Sequence, residues 1–143
     1  MSNVRYDMAN MASLGVASVT INSATTTSFD FGTPDDLNLA ALANYSPGDR
    51  VLVILSATTA GTTNNLTWVI QDAPDSSGSI GTPAAATISA VRGALAAGTA
   101  NDFSAFAVQI QPNRPWLRVR VTSDGATDTF VTHCTVWAVP NNA

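Results

Sequence analysis

From Val16 onward, apolar and polar residues alternate with a period of two. Ala17, Val19 and Ile21 alternate with Ser18, Thr20 and Asn22, the pattern of a half-buried strand. Residues 25–31 repeat it, with Phe29 and Phe31 on one face, and Gly32-Thr33-Pro34-Asp35-Asp36 turns the chain. Asp36 to Ala43 is the best helix candidate. Ser46-Pro47-Gly48-Asp49 is a strong turn that launches the clearest strand, Arg50 to Ala57. Leu66, Trp68 and Ile70 alternate with Thr67, Val69 and Gln71, and Asp72 to Gly78 reads as a long exposed loop. Residues 83–91 form a weaker strand, and 93–101 is an Ala- and Gly-rich stretch without a pattern. Strands follow at 106–111, at 116–122, where Leu117, Val119 and Val121 alternate with Arg118, Arg120 and Thr122, and at 127–139.

The spacing predicts about eight strands separated by turn signals, as in a sandwich or barrel. No useful helical period appears, which argues against parallel βαβ units. The expected fold is all-β: an antiparallel sandwich of two sheets packed face to face, jelly-roll-like. Its expected core is Val19, Ile21, Leu52, Ile54, Trp68, Ile70, Leu117, Val119 and Val121. Residues 1–14 stand apart as an N-terminal arm preceding the sandwich domain at 15–143. All three methionines, Met1, Met8 and Met11, lie in this arm. It reads either as a disordered tail or as an arm that orders against a partner through Tyr6, Met8 and Met11.

Composition narrows the function. The chain has 143 residues, with 11% charged, a net charge of −4, and neither Lys nor Glu. Such a chain lacks the basic face that phosphate neutralisation needs, so no nucleic-acid partner is expected. Its polar surface is built from Ser, Thr and Asn. The longest aliphatic run, Val51 to Leu55, is too short to span a bilayer, so no membrane partner is expected. The first residues lack the long apolar run of a secretory signal, and synthesis in the cytoplasm is expected. With Cys134 as the single cysteine, no intrachain disulfide is expected.

No catalytic set emerges. His133, the one histidine, sits mid-strand with Val131, Thr135 and Trp137, and Cys134 beside it points to the opposite face. There is no Gly-x-Ser-x-Gly elbow and no Gly-rich phosphate loop ahead of a helix. Asp72 and Asp75 share one loop, and Asp124 and Asp128 another, but without calcium-loop spacing they read as turn formers. The expectation is a non-enzyme without cofactor or metal. Arg118 and Arg120 share a strand face led by Trp116, either a solvated face or an interface stripe.

Three blocks carry a family resemblance: Gly48-Asp-Arg-Val-Leu-Val-Ile-Leu55, Leu66-Thr-Trp-Val-Ile-Gln-Asp-Ala-Pro-Asp-Ser-Ser-Gly78, and Pro115-Trp-Leu-Arg-Val-Arg-Val-Thr122, the last followed by a Gly turn and the strand to Pro140. In this order they resemble the capsid decoration, or cement, proteins of tailed bacteriophages. The resemblance covers roughly 48–140 and implies a compact jelly roll without an active site. It implies binding to the major capsid protein on the capsid exterior, as a homo-oligomer (dimer or trimer), after synthesis in the host cytoplasm. Tyr6, Met8, Met11, Arg118 and Arg120 are the candidate interface residues. The competing reading is a carbohydrate- or receptor-binding sandwich module of a phage tail or surface protein. Its supporting features are Trp68, Trp116, Trp137 and the Asp/Asn loops.

Overall fold

A computed structural model of the chain describes residues 11–32, 36–59, 64–82 and 103–139. Its strands, in chain order, are β1 (Ala12–Ile21), β2 (Thr26–Ser28), β3 (Leu37–Asn38), β4 (Arg50–Thr59), β5 (Leu66–Ala73), β6 (Asp75–Ser76), β7 (Ser79–Ile80), β8 (Phe103–Ile110), β9 (Trp116–Ser123) and β10 (Phe130–Val139). All pairings are antiparallel. The first sheet runs β1-β10-β4-β8. The second is centred on β9, which pairs with β5 along its whole length and with the short β2 and β3. The chain passes repeatedly between the two sheets, and its first strand lies beside its last, which is the wrapping of a jelly roll.

The inner faces meet in one core. Val51, Val53, Leu55 and Ala57 of β4 and Phe130, Cys134, Val136 and Ala138 of β10 face Leu66, Trp68 and Ile70 of β5 and Leu117, Val119 and Val121 of β9. Phe29 stacks on Trp68, with ring centroids 6.0 Å apart and planes 9° from parallel. Thr132 is buried among these residues, and its hydroxyl donates to the Val19 carbonyl at 2.7 Å, so the one polar inner position of β10 is satisfied. A β-bulge in β1 lies between Ser13 and Gly15. Gly15 is needed there, because a Cβ would meet the Phe31 ring at 2.8 Å.

Several expectations change. Leu52 and Ile54 point outward, and Val51, Val53 and Leu55 take the core positions. β4 is apolar on both faces, so alternation cannot choose its phase; pairing of Val53 with Val136 and of Leu55 with Cys134 does. The helix expected over 36–43 is β3 followed by a single 3₁₀ turn, Leu39–Ala41. Leu37 and Leu39 are both buried at strand spacing, and the Leu39 N–H donates to Pro115 C=O, which holds the segment extended. The loop expected over 72–78 begins with two buried residues of β5 and then forms the β6–β7 hairpin. Ser77 and Gly78 both have positive φ, 55° and 84°, as a two-residue hairpin turn requires. β1 begins at Ala12, and Leu14 is in the core, so the sheet starts three residues before the expected domain start at 15. The strand expected at 83–91 lies outside the described residues.

Candidate functional site

The outer face of the first sheet follows from the pairing registers. One row across it is Val16, Thr135, Ile54 and Ala107. A neighbouring row is Ser18, His133, Ser56 and Ala105, and Trp137 pairs with Leu52 on the other side. Val16 (68% exposed), Val131 (39%) and Ile54 (36%) are the large apolar side chains exposed among the described residues, and all three stand on this face. The four strands carry no carboxylate, and their one charged residue is Arg50 at the start of β4. His133 is exposed in the middle of the face.

Cys134 points the other way, into the core, and burial pushes its thiol up to about 12. It does not form a dyad with His133. At pH 8 only about 1 in 10,000 of such thiols is ionised, so a disulfide-exchange reagent should leave the folded chain unlabelled. Denaturant should then release one reactive thiol per chain; rapid labelling of the folded protein would contradict this burial.

The outer face of the second sheet carries the Arg stripe. Arg118 is tied within the chain: Nε and Nη2 donate to the two Asp36 oxygens at 2.9 and 2.8 Å. This bidentate pair, with Asp36 buried, joins β9 to the segment entering β3. Arg120 lies beside it, and its buried Nε lacks a hydrogen-bond partner, as do Gln71 Oε1 and Asn38 Oδ1. Trp116 is buried on this outer side, and its indole N–H donates to Asp75 Oδ1 at 2.9 Å, which fixes the β6–β7 hairpin over the sheet. Of the other candidate interface residues, Met11 is half-buried just before β1, and Tyr6 and Met8 lie outside the described residues.

The aspartates of the loops are fasteners. Asp75 also accepts the Gly78 N–H, Asp72 accepts from Asn113, and Asp124 accepts from both the backbone and the side chain of Asn65. Among the described residues no group of three or more His, Cys, Asp or Glu side chains converges as a metal site would require. The hydrogen bond from Trp116, then that from Gly78, holds the Asp75 carboxyl below its ordinary value of 3.8. The bond from the Asn65 backbone, then from its side chain, does the same for Asp124. A carboxylate whose folded value is lowered stabilises fully above the unfolded value and loses that contribution as pH falls through the folded one. Trp116 emission should therefore shift as pH drops below 3.8, and Asp75→Asn should abolish that component. A shift that survives in this variant would place its origin elsewhere.

At one end of the sandwich a cleft of about 360 Å³ lies between the segment before β4 and the turn 111–115, lined by Tyr45, three prolines, Gln111 and Arg114 among others. Burial, then the Asp49 charge, raises the Tyr45 phenol above its ordinary value.

No family model matches the chain, and no curated protein matches it. Among solved structures it is similar to the CBM22-1–GH10 modules of Clostridium thermocellum xylanase 10B complexed with xylohexaose, at TM-score 0.45 and 8% identity over 90% of this chain and 27% of that one. It is similar to a chain of the cyanophage Pam1 capsid asymmetric unit, at TM-score 0.41 and 15% identity over 92% and 86% of the two chains. The carbohydrate-binding module CBM6cm-2 of Cellvibrio mixtus lichenase 5A, in complex with cellotriose, matches at TM-score 0.37 and 9% identity over 87% and 88%.

Proposed function

We propose that this chain is a structural capsid decoration protein, bound to the outer surface of a phage capsid and bridging neighbouring major capsid subunits. The observation that carries the reading is a whole sheet face that is free of carboxylates and studded with exposed apolar side chains. Such a face suits burial against another protein surface rather than enclosure of a small substrate. The blocks that resemble cement proteins form β4, β5 with its hairpin, and β9, so they supply both sheets. The carbohydrate-binding alternative calls for an exposed aromatic platform. Trp68 and Trp116 are buried, and Trp137, half-buried, turns its N–H toward Thr135 Oγ1 at 3.3 Å, which disfavours that reading.

The mechanism is mass action. A protein that binds the assembled shell and not its free parts stabilises the shell, and many modest contacts gain strength together. With Arg118 engaged by Asp36, the N-terminal segment with Tyr6, Met8 and Met11 is the stronger candidate for gripping the capsid. The test is co-sedimentation of the purified chain with capsids that lack it. The full chain should pellet at a fixed ratio to the major capsid protein. Deleting residues 2–10, which stops short of β1, should leave the melting temperature nearly unchanged and weaken retention. Absence of co-sedimentation by the full chain would refute the reading; undiminished retention after deletion would make the segment a mere tail.

A further inference from the structure

We infer that the outer face of the β1-β10-β4-β8 sheet seats a second copy of this chain, packed face to face about a two-fold axis. The inference does not depend on the capsid reading, but it gives this face to a second copy, so capsid contact then falls to the N-terminal segment. Val16, Ile54 and Val131 stand exposed on this one face. The registers place Val16 and Ile54 in one row, with only Thr135 between them.

Charge points to the same occupant. A two-fold contact sets a surface against itself, so any fixed net charge at its centre meets its own sign. The chain carries a net charge of −4, yet every aspartate lies outside these four strands. Arg50 sits at the end of β4, where it falls on the rim. A strongly acidic or basic partner would find no complementary charge here, whereas a second copy finds a neutral surface like its own.

Relief agrees as well. The rows cross the face in order: Trp137 with Leu52; then Val16, Thr135, Ile54 and Ala107; then Ser18, His133, Ser56 and Ala105; and, at the far end, Thr20, Val131 and Thr58. A two-fold axis in the interface, running across the strands, reverses this order in the partner. The Val16–Ile54 row of one copy then lies over the His133 row of the other, and Val131 lies over the Trp137–Leu52 pair. Four strands about 4.8 Å apart and about eight residues at ~3.4 Å each give a plan of roughly 500 Å². Two copies then bury about 1,000 Å², at the lower edge of what specific association needs. The pair should therefore dissociate on dilution.

Sedimentation equilibrium of the full chain between about 1 and 500 μM tests this. The mass should rise with concentration from 14.8 kDa toward twice that value. Ile54→Lys should weaken pairing roughly 100-fold, because each substitution enters the contact twice. Ala107→Arg, at an exposed alanine opposite Ile54, should do the same and guards against misfolding of the first variant. A mass of 14.8 kDa throughout, a trimer, or a dimer unaffected by both variants would overturn the inference. If the wild type is monomeric while both variants lose capsid binding, the face belongs to the capsid: the pairing inference falls and the capsid reading stands. If the wild type is a dimer, weakened by both variants, that ignores capsids, the pairing stands and the capsid reading falls.

Discussion

Replacing Trp68 with alanine should cost about 3–5 kcal/mol of folding stability. Its ring is buried between the sheets and stacked on Phe29, and Phe29 is pinned in turn by its N–H to the Val119 carbonyl. Truncation removes the ring's burial and its stacking, and it leaves a cavity that neighbouring strands cannot fill, because hydrogen bonds to their own neighbours hold them in place. Domains are stable by roughly 5–15 kcal/mol, so the loss is a large share of the total. Urea denaturation should show the midpoint falling with the slope unchanged. Trp68→Phe, which keeps a ring beside Phe29, should lose less. A loss below about 1 kcal/mol for the alanine variant would mean that the two sheets do not close over this side chain.

The second large effect belongs to a loop. The Asn64 side-chain carbonyl accepts the N–H groups of Thr127 and Asp128 at 2.9 and 3.0 Å, and the Asp128 carboxylate accepts the Asn64 N–H in return. Asn64 and Asp128 are both buried, so their two bonds in this clasp, between the residues entering β5 and those entering β10, are shielded from water, while the bond from exposed Thr127 is part-buried. Asn64→Ala strands the buried Asp128 donor, costing about 1–3 kcal/mol, and loses the part-buried Thr127 bond, worth roughly 0.5–1.5 kcal/mol, for a total of about 2–4 kcal/mol. Gly125 packs against the same amide: a Cβ there would overlap the Asn64 side chain, so Gly125→Ala should break the clasp too. The two losses should not add. In the Asn64→Ala background Gly125→Ala should be far milder, and a double-mutant cycle by thermal denaturation would read the difference. Additive losses would mean that Gly125 acts through something other than Asn64.

Much of this architecture is legible in the amino-acid pattern, and the exceptions have physical causes. β5 and β9 alternate cleanly, so Trp68, Ile70, Leu117, Val119 and Val121 are readable as core from spacing alone, and they are buried. β4 is not readable in this way, because Val51 to Leu55 is one unbroken apolar run and its phase is set by β10, far along the chain. Leu37, Leu39 and Leu42 fit a helix or an extended strand equally, and a backbone bond to Pro115 decides. The candidate surface is hidden for the same reason as the phase of β4. Val16, Ile54 and Val131 lie far apart in the chain, and only the registers of β1, β10 and β4 bring them to one face. The Arg118 stripe is visible in the sequence, but its engagement with Asp36 is not, since that bond spans 82 residues.

The placement of β10 between β1 and β4 sets the order in which the molecule can be made. β10, residues 130–139, is the strand that joins β1, residues 12–21, to the rest of the first sheet. Until it leaves the ribosome, β1 has no partner in that sheet and β4 has one bare edge. A nascent chain halted before residue 130 should therefore stay open to proteases and to strand-mediated aggregation, however much of it has emerged. Closure across more than a hundred residues carries a large loop entropy before any contact rewards it. Refolding from denaturant should accordingly take milliseconds to seconds, the regime of sandwiches rather than of helical bundles.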